Sequence, residues 1–473
     1  MGLPQIAASI LAAVLVGALT RGTWRTYALL ALSVLALYWF QPVLPLRSFD
    51  FWIPTLSLAL VLLVWFITAP AGEWRARPNL IGLGLMLGLV TLLDLSRFVL
   101  ASPLLTATTP PPLQQFVPFV LIIAFSLALL TWLAQRFAWT LPLVLILLIA
   151  TLIILKTPGL ALQASIFFRT LADRPTTNAS ALDLRWFGFS YIAFRLIHVL
   201  RDKQQGRLPA LSLPEFATYV VFFPALSAGP IDRAERFAAD LKKDFALTQS
   251  ETLLAGQRIA IGLFKKFVVA DALALIALND VLASQVRTGG WLWFHLYAYA
   301  FQIYFDFSGY TDIAIGVARL AGIKLPENFA APYTKPNLTQ FWSSWHMTLT
   351  QWIRSYFFNP FNRWVRGFKS LPAWSMILIG QLATMLIIGL WHGVTVNFIL
   401  WGTWHGLGLF LQNRWSDFAK TRITSTNPRL QTALQVGGGL FTFHFVAIGW
   451  VFFALSAPSL SWMVLLKLFG LNP

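Results

Sequence analysis

Cysteine is absent from all 473 residues. That excludes a thiol nucleophile, a disulfide framework and thiolate metal sites, and it leaves the compartment open. Charge is also scarce. Only 11% of residues are Asp, Glu, Lys or Arg, against about a quarter in an ordinary soluble domain. Acidic residues are fewest, 18 against 35 Lys plus Arg, for a net charge of +17. No soluble basic domain stands apart along the chain, so nucleic acid is not the expected partner. The surplus fits cations held on cytoplasmic loops and against anionic lipid. No internal repeat, low-complexity tract or long linker separates a soluble domain.

What is abundant is apolar. Hydrophobic residues make up 57% of the chain, with 40 Phe and 21 Trp. A soluble chain this apolar could not cover its surface with polar groups, so lipid must cover part of it, and the bilayer is its first expected partner. A spanning helix needs roughly 20 mainly apolar residues. Such runs occur at 3–20, 26–45, 52–69, 79–101, 116–135 and 138–155, then at 254–286, 291–320, 375–412 and 433–469. The first lacks a basic leader and is followed by Arg21 and Arg25, so it is expected to be a span and not a cleaved signal. The fold class expected is an all-α polytopic membrane protein in a single membrane domain.

The loops carry an orientation signal. Arg21 and Arg25 lie in the first loop, Arg75 and Arg77 in the third and Arg136 in the fifth, while Arg47 in the second is offset by Asp50 and the fourth has no charge. Odd loops are therefore expected in the cytoplasm and the N-terminus outside, in a cell (plasma or inner) membrane. The pattern then breaks. The stretches around Arg201 to Arg207 and Arg233 to Lys243 are both basic, with one short apolar run between them. Both cannot be cytoplasmic if that run crosses once. A re-entrant segment near Pro214 to Pro230 is expected, and such backbone needs surrounding protein or a water-filled cavity.

Ionisable groups inside apolar runs are costly and draw the eye first. Asp94 and Arg97 are three apart and are expected to neutralise each other as a local ion pair. Of the six histidines, His198, His295 and His444 are expected to be hydrogen-bonded core residues. His346 and His392 differ in setting. His346 sits among Trp342, Ser343, Ser344, Trp345 and Thr348, in a stretch too polar for lipid, and His392 lies between Gly389 and Gly393 near the end of an apolar run. Glycines let backbone or ligand approach the imidazole. With no cysteine and no carboxylate pair, histidine is the best base available for an alcohol. Forty-six residues separate the two, which suits two helices converging on one cavity.

The block from Phe301 to Asp312, Pro326-Glu327-Asn328-Phe329, Trp345-His346 and Trp391-His392-Gly393 resemble the membrane-bound O-acyltransferase superfamily. Within it the chain looks most like the bacterial branch that holds the alginate O-acetylation protein and the teichoic-acid D-alanyl transferase. The resemblance runs from about Gly188 to Phe453. It implies a ring of helices around a thinned centre, with residues 1–184 as supporting helices, 185–453 as the catalytic core and 454–473 as the C-terminal end. By the same resemblance His392 is the catalytic histidine and His346 the second functional one. Trp391, Trp345, Asp306, Ser308, Tyr310 and Asn328 are the candidate substrate-binding residues. One position departs: Ser355 in Trp352-Ile353-Arg354-Ser355-Tyr356 stands where the branch commonly has Asp. The acceptor motifs are mixed. Ser227 to Arg233 looks like the D-alanyl type, and Asp312 to Ile315 with Pro326 to Phe329 like the alginate type.

The reaction implied is acyl transfer, most simply of an acetyl group. A cytoplasmic thioester, acetyl-CoA or an acylated carrier protein, would be the donor. The acceptor would be a hydroxyl of a cell-envelope polysaccharide or of an extracytoplasmic relay protein. No bound cofactor and no metal is expected, since two histidines without nearby carboxylates make a poor zinc set. D-alanyl transfer to teichoic acid is the nearest alternative. Broken helices with polar residues at mid-membrane are also the transporter pattern, so a flippase is the rival from another class. A scaffold with merely buried histidines is the third.

Overall fold

Apolar runs in lipid must satisfy every backbone group internally, which leaves helices or closed barrels. The computed structural model, which describes residues 2–70, 72–422 and 427–471, contains helices and no strands among those residues. The chain gathers into two compact units, 1–259 with 314–326, and 260–313 with 327–473.

The first unit opens with six helices that follow the apolar runs closely. These are α1 (Leu3–Leu19), α2 (Gly22–Trp39), α3 (Phe49–Thr68), α4 (Arg77–Leu95), α5 (Leu113–Arg136) and α6 (Thr140–Lys156). Helix α5 buries a single residue, Phe116. Val117, Leu121, Ile122, Phe125 and Trp132 are exposed along it, so it has the all-round apolar surface of a helix that faces lipid. Helix α6 bends by 99° into α7 (Pro158–Leu171), where Pro158 cannot continue the preceding turn.

Next come α8 (Phe189–Gln204), α9 (Leu213–Val221), α10 (Ala234–Lys242) and α11 (Gln249–Phe264). Helix α9 has nine residues, about 13 Å at 1.5 Å each, so it cannot cross a hydrocarbon layer of about 30 Å. A 3₁₀ turn at Phe223–Ala225 follows it. Arg195 on α8 is buried and donates to the Val220 and Ala225 carbonyls, both at 2.8 Å. Those are carbonyls left over where the helix breaks, and a cation is a strong partner for them. Arg25 does the same for α10. It is 1% exposed and its Nη2 donates to the carbonyls of Asp240, Leu241 and Lys243 at 2.7–2.9 Å. Arg25 is therefore a helix C-cap and not the solvated loop charge read from the sequence.

A second expectation also fails here. No ion pair joins Asp94 to Arg97. Asp94 is fully buried with both carboxylate oxygens lacking a hydrogen-bond partner, and Arg97 donates to the Pro110 carbonyl at 3.0 Å. The last turn of α4 passes into a 3₁₀ turn at Ser96–Phe98, which moves Arg97 off the helical face that the spacing assumed.

The second unit contains α12 (Asp271–Ala274), α13 (Asp280–Gln285) and the part of α14 (Gly289–Leu320) up to Ile313. The short helices α15 (Leu338–Trp342), α16 (Met347–Ile353) and α17 (Asn359–Val365) follow. The long helices α18 (Ala373–His392), α19 (Val396–Arg422) and α20 (Pro428–Ala454) and the final α21 (Pro458–Leu468) complete it. The apolar run at 254–286 is broken where Lys265–Ala270 forms a π-helical turn and Asn279 caps a new helix. The run at 375–412 is a hairpin. Thr395 N–H donates to the Gly393 carbonyl at 3.0 Å in its tight turn, and a Cβ on Gly402 would lie 2.7 Å from the Met385 carbonyl oxygen, so α18 and α19 pack at small-residue distance.

Five helices among the described residues, α3, α4 continued to Phe98, α5, α18 and α20, are long and apolar enough to cross a membrane. The α6–α7 pair passes the same test as one bent span.

Candidate active site

His346 and His392 both lie in the second unit, and Trp391 links them. The centroid of Trp391 is 4.5 Å from that of the His392 ring and 6.2 Å from that of the His346 ring. His392 is the last residue of α18 and His346 precedes the first residue of α16, so each imidazole stands at a helix end.

His346 has φ of 44°. A left-handed backbone is unusual for a residue other than glycine, and strain of this kind costs on the order of 1–3 kcal/mol. Neighbouring backbone holds it there. Met347 N–H donates to the Asn328 carbonyl at 2.9 Å and Ala330 N–H to the Ser344 carbonyl at 3.0 Å. Asn328 Oδ1 accepts from Thr348 Oγ1 at 2.6 Å and Thr348 N at 3.3 Å, and the backbone donor fixes the orientation of the amide. His346 Nδ1, 3.4 Å from the same oxygen, must then be the protonated nitrogen. Its Nε2 is left as an acceptor, buried and without a protein partner. Burial lowers the pKa of His346 to about 3, so the ring is neutral and too weakly basic to keep a proton at neutral pH. Phe307 of α14 meets the His346 ring edge-on at 4.7 Å.

His392 is half-buried. Its ring contacts Phe398, Trp401 and Phe453 at centroid distances of 5.9, 5.8 and 4.8 Å. The flanking glycines serve these contacts. A Cβ at Gly389 would lie 2.4 Å from the Phe398 carbonyl oxygen and one at Gly393 would lie 2.9 Å from the Phe398 ring. The room expected there for substrate is taken up by Phe398, because the hairpin turn brings α19 back against α18.

A family profile for membrane-bound O-acyltransferases matches residues 108–457, which includes both histidines. The chain belongs to this family. Family members with similar sequences include a probable alginate O-acetylase AlgI of Pseudomonas fluorescens, 36% identical over 267 residues, 56% of this chain and 50% of that one. A teichoic acid D-alanyltransferase of Bacillus subtilis is 31% identical over 57% of this chain and 69% of its own length. A peptidoglycan O-acetyltransferase of Helicobacter pylori is 35% identical over 54% and 47%. The matched region spans about half the length of the alginate relatives. Family membership and the apolar helices together make this a multi-pass membrane protein.

The other residues singled out from the family motifs have varied settings. Asn328 orients His346, as described. Trp345 is buried in an aromatic cluster with Phe329 and Trp450, at 5.2 and 5.3 Å. Ser308 and Tyr310 are buried on α14, and Ser308 Oγ has no hydrogen-bond partner. Asp306 forms an ion pair with Lys266 of the π-helical turn. Three residues near the histidines escaped the sequence reading: Phe307, Trp401 and His405. His405 is fully buried, both ring nitrogens lack a protein partner, and its ring lies 4.9 Å from Trp401. Its signal was Trp404-His405-Gly406, a second Trp-His-Gly triplet in the same sequence.

The histidines expected to be structural are hydrogen-bonded. His444 meets the Tyr297 hydroxyl at 2.9 Å and His295 the Ile276 carbonyl at 2.7 Å. In the first unit His198 lies between Asp202 and Glu235 at 3.1 and 3.8 Å. These three offer ligand atoms within 4.8 Å of one another. Arg207 and Arg233 lie 3.6 and 3.8 Å from the two carboxylates, so the group reads as a network of ion pairs.

Proposed function

We propose that the protein moves an acyl group, most simply acetyl, from a cytoplasmic thioester to a hydroxyl of a cell-envelope polysaccharide or of an extracytoplasmic relay protein. The observation that carries this reading is the ring sequence His346–Trp391–His392 in a chain of the O-acyltransferase family. A neutral alcohol is a weak nucleophile until a base takes its proton. His392 is that base, and it later returns the proton to the departing thiol. The new bond joins the acceptor oxygen to the acyl carbon, and the bond broken is carbon to sulfur. His346 Nε2, an acceptor in a neutral ring, receives a hydrogen bond from a second donor group of the acceptor, such as a neighbouring sugar hydroxyl, and so orients the hydroxyl that His392 deprotonates. A tautomer with its only proton on Nδ1 does not suit it to hold the oxyanion. On this reading the site lies in the plasma or inner membrane with the N-terminus outside, which the Arg bias of the odd loops supports. The donor is acetyl-CoA or an acylated carrier protein; the reaction needs no bound cofactor or metal.

A second reading, D-alanyl transfer to teichoic acid, is favoured by the Bacillus relative at 69% coverage. Purified protein in nanodiscs, given radiolabelled acetyl-CoA or D-alanyl carrier protein and candidate polymers, decides between them. His392→Gln keeps the volume and a hydrogen bond but cannot act as base. It is expected to lose transfer by about 10² to 10⁴. Transfer within a few-fold of wild type would remove the general-base assignment, and efflux of an unmodified precursor from wild-type vesicles would support transport instead.

A further inference from the structure

We infer that the cleft between α3, α4 and α5, all within the first unit, holds one anionic diacyl phospholipid. Its acyl chain lies along α5 and its phosphate between Arg75 and Arg136. The cleft is about 660 Å³, within the range of about 300–1,000 Å³ of pockets that enclose a whole small ligand. Among the described residues that line it, none is Asp, Glu, Lys or Arg, and only Thr131 and Gln135 are polar apart from tryptophan.

The cleft opens because α5 leans away from its neighbours. At its start, Phe116 and Phe119 pack on Phe51 and Trp52 of α3 at centroid distances of 6.1 and 4.2 Å. Beyond Phe116 the helix buries nothing. Yet Ile123, Leu127, Thr131 and Ala134 all line the cleft, and their spacing of three and four residues puts them on one face. That face is turned toward α3 and α4 without being covered by them. In a membrane the apolar chain at hand to cover it is a lipid's.

Length and charge fix the kind of lipid. From Val120 to Gln135 the lining of α5 runs fifteen residues, about 22 Å. Half of a bilayer with its headgroup layers is about 20–22 Å, so the cleft is one leaflet deep. At its mouth Arg75 lies over the Trp74 ring and Arg136 over the Trp132 ring, 5.2 and 4.5 Å from the centroids. Both tryptophans are lining residues. Both arginines are exposed, and among the described residues neither makes an ion pair. Two guanidinium groups held flat on indoles keep their N–H edges free for a phosphate. Thr131 Oγ1 is buried without a partner. It sits five residues before Arg136, about 7.5 Å along the axis. The ester carbonyl of a phospholipid is about five bonds from its phosphorus, some 6 Å of extended chain. The Arg136 side chain bends back over Trp132 and closes the difference, so the hydroxyl meets the ester.

The test uses the full chain in phosphatidylcholine nanodiscs, with or without phosphatidylglycerol, and counts retained lipid by native mass spectrometry. One tightly held phosphatidylglycerol per chain is expected, and it should raise the melting temperature where added phosphatidylcholine does not. Arg75→Gln plus Arg136→Gln should weaken phosphatidylglycerol binding by about 10-fold or more and remove that rise, with the melting temperature in phosphatidylcholine equal to wild type. Ala124→Trp plus Ala128→Trp fills the cleft and should exclude the lipid although both arginines remain. If the tryptophan variant fails to fold, the arginine variant decides alone. A rise with phosphatidylglycerol that survives the arginine variant would overturn the site. Glycerol phosphate giving the same rise as the lipid would leave the chain no role and overturn it too. If a long-chain polyprenyl phosphate displaced phosphatidylglycerol at equal amounts, the occupant would be that lipid and the inference wrong.

Discussion

The two units put their most deeply buried basic and ring side chains to different uses. In the first, Arg25 and Arg195 are almost fully buried and donate to backbone carbonyls at the ends of α10 and α9, Arg25 through Nη2 alone. Arg169 is likewise paired with Asp183 at 2.6 Å. In the second, His346 Nε2, both nitrogens of His405, Trp401 Nε1 and Ser308 Oγ are buried with no protein partner. A buried polar group left unpaired costs about 1–3 kcal/mol. A region that carries several either binds something polar or gives up stability for nothing. The contrast teaches which polar residues hold the fold and which are reserved for a reaction.

Substitutions can break that contrast, and the largest effect belongs to the reserved group. His346→Phe should cut acyl transfer by at least 10²-fold while the melting temperature in detergent stays level or rises, because an unpaired polar group is replaced by apolar volume. A collapse in melting temperature with the loss of activity would make His346 a fold residue. Arg25→Met should do the reverse. It leaves three carbonyls of α10 uncapped, at a cost of about 3 kcal/mol. Protein that survives purification should show kcat within a few-fold of wild type, and equal melting temperatures would show the cap to be dispensable.

Asp94, like Thr131 and Thr218, keeps buried polar atoms without a hydrogen-bond partner in the first unit, and as a carboxyl it sharpens the comparison. Asp94→Asn should leave stability within about 1 kcal/mol and activity unchanged. Loss of transfer in this variant would move Asp94 into the reserved group and dissolve the division between units.

The smallest effect is one of pH, at His198. Burial alone would pull its pKa down, but hydrogen bonds and charge from Asp202 and Glu235 raise it above 6.5. The hydrogen bond from His198 in turn lowers Glu235 to about 2. The histidine's contribution is complete below pH 6.5 and fades as pH rises through its higher folded value; that of Glu235 is complete above 4.5 and fades as pH falls through about 2. Melting temperature should therefore decline by a few degrees, on the order of 2–4 °C, between pH 6.5 and 8.5. His198→Asn should flatten that decline, and an unchanged slope would place its origin elsewhere.

The six N-terminal helices were legible because uninterrupted apolar length is all that a lipid-facing helix requires. The run at 254–286 was not, since its π-helical turn depends on where Lys265 and Lys266 find acidic partners, not on hydrophobicity. The two histidines could be picked out by their motifs. The use of the glycines beside His392 could not, because sequence alone does not say whether a gap admits substrate or, as here, Phe398. Arg25 was misread for a related reason. A positive charge near a helix end looks the same in sequence whether it meets water or the carbonyls of a helix more than 200 residues away.

The π-helical turn has a mechanical consequence for α14. That helix has 32 residues and is about 48 Å long, well beyond the roughly 30 Å of hydrocarbon, so lipid alone does not fix its height. Lys265 holds Asp312 at 2.7 Å and Lys266 holds Asp306. The two acids are six residues apart, about 9 Å along the axis, and on different sides of it. Two pins at different heights and angles stop a rod from both sliding and turning. A shift of one residue would cost both ion pairs at once, so the wall that sets Phe307 against His346 behaves as a fixed jamb, and any opening of the site must come from the helices on its other side.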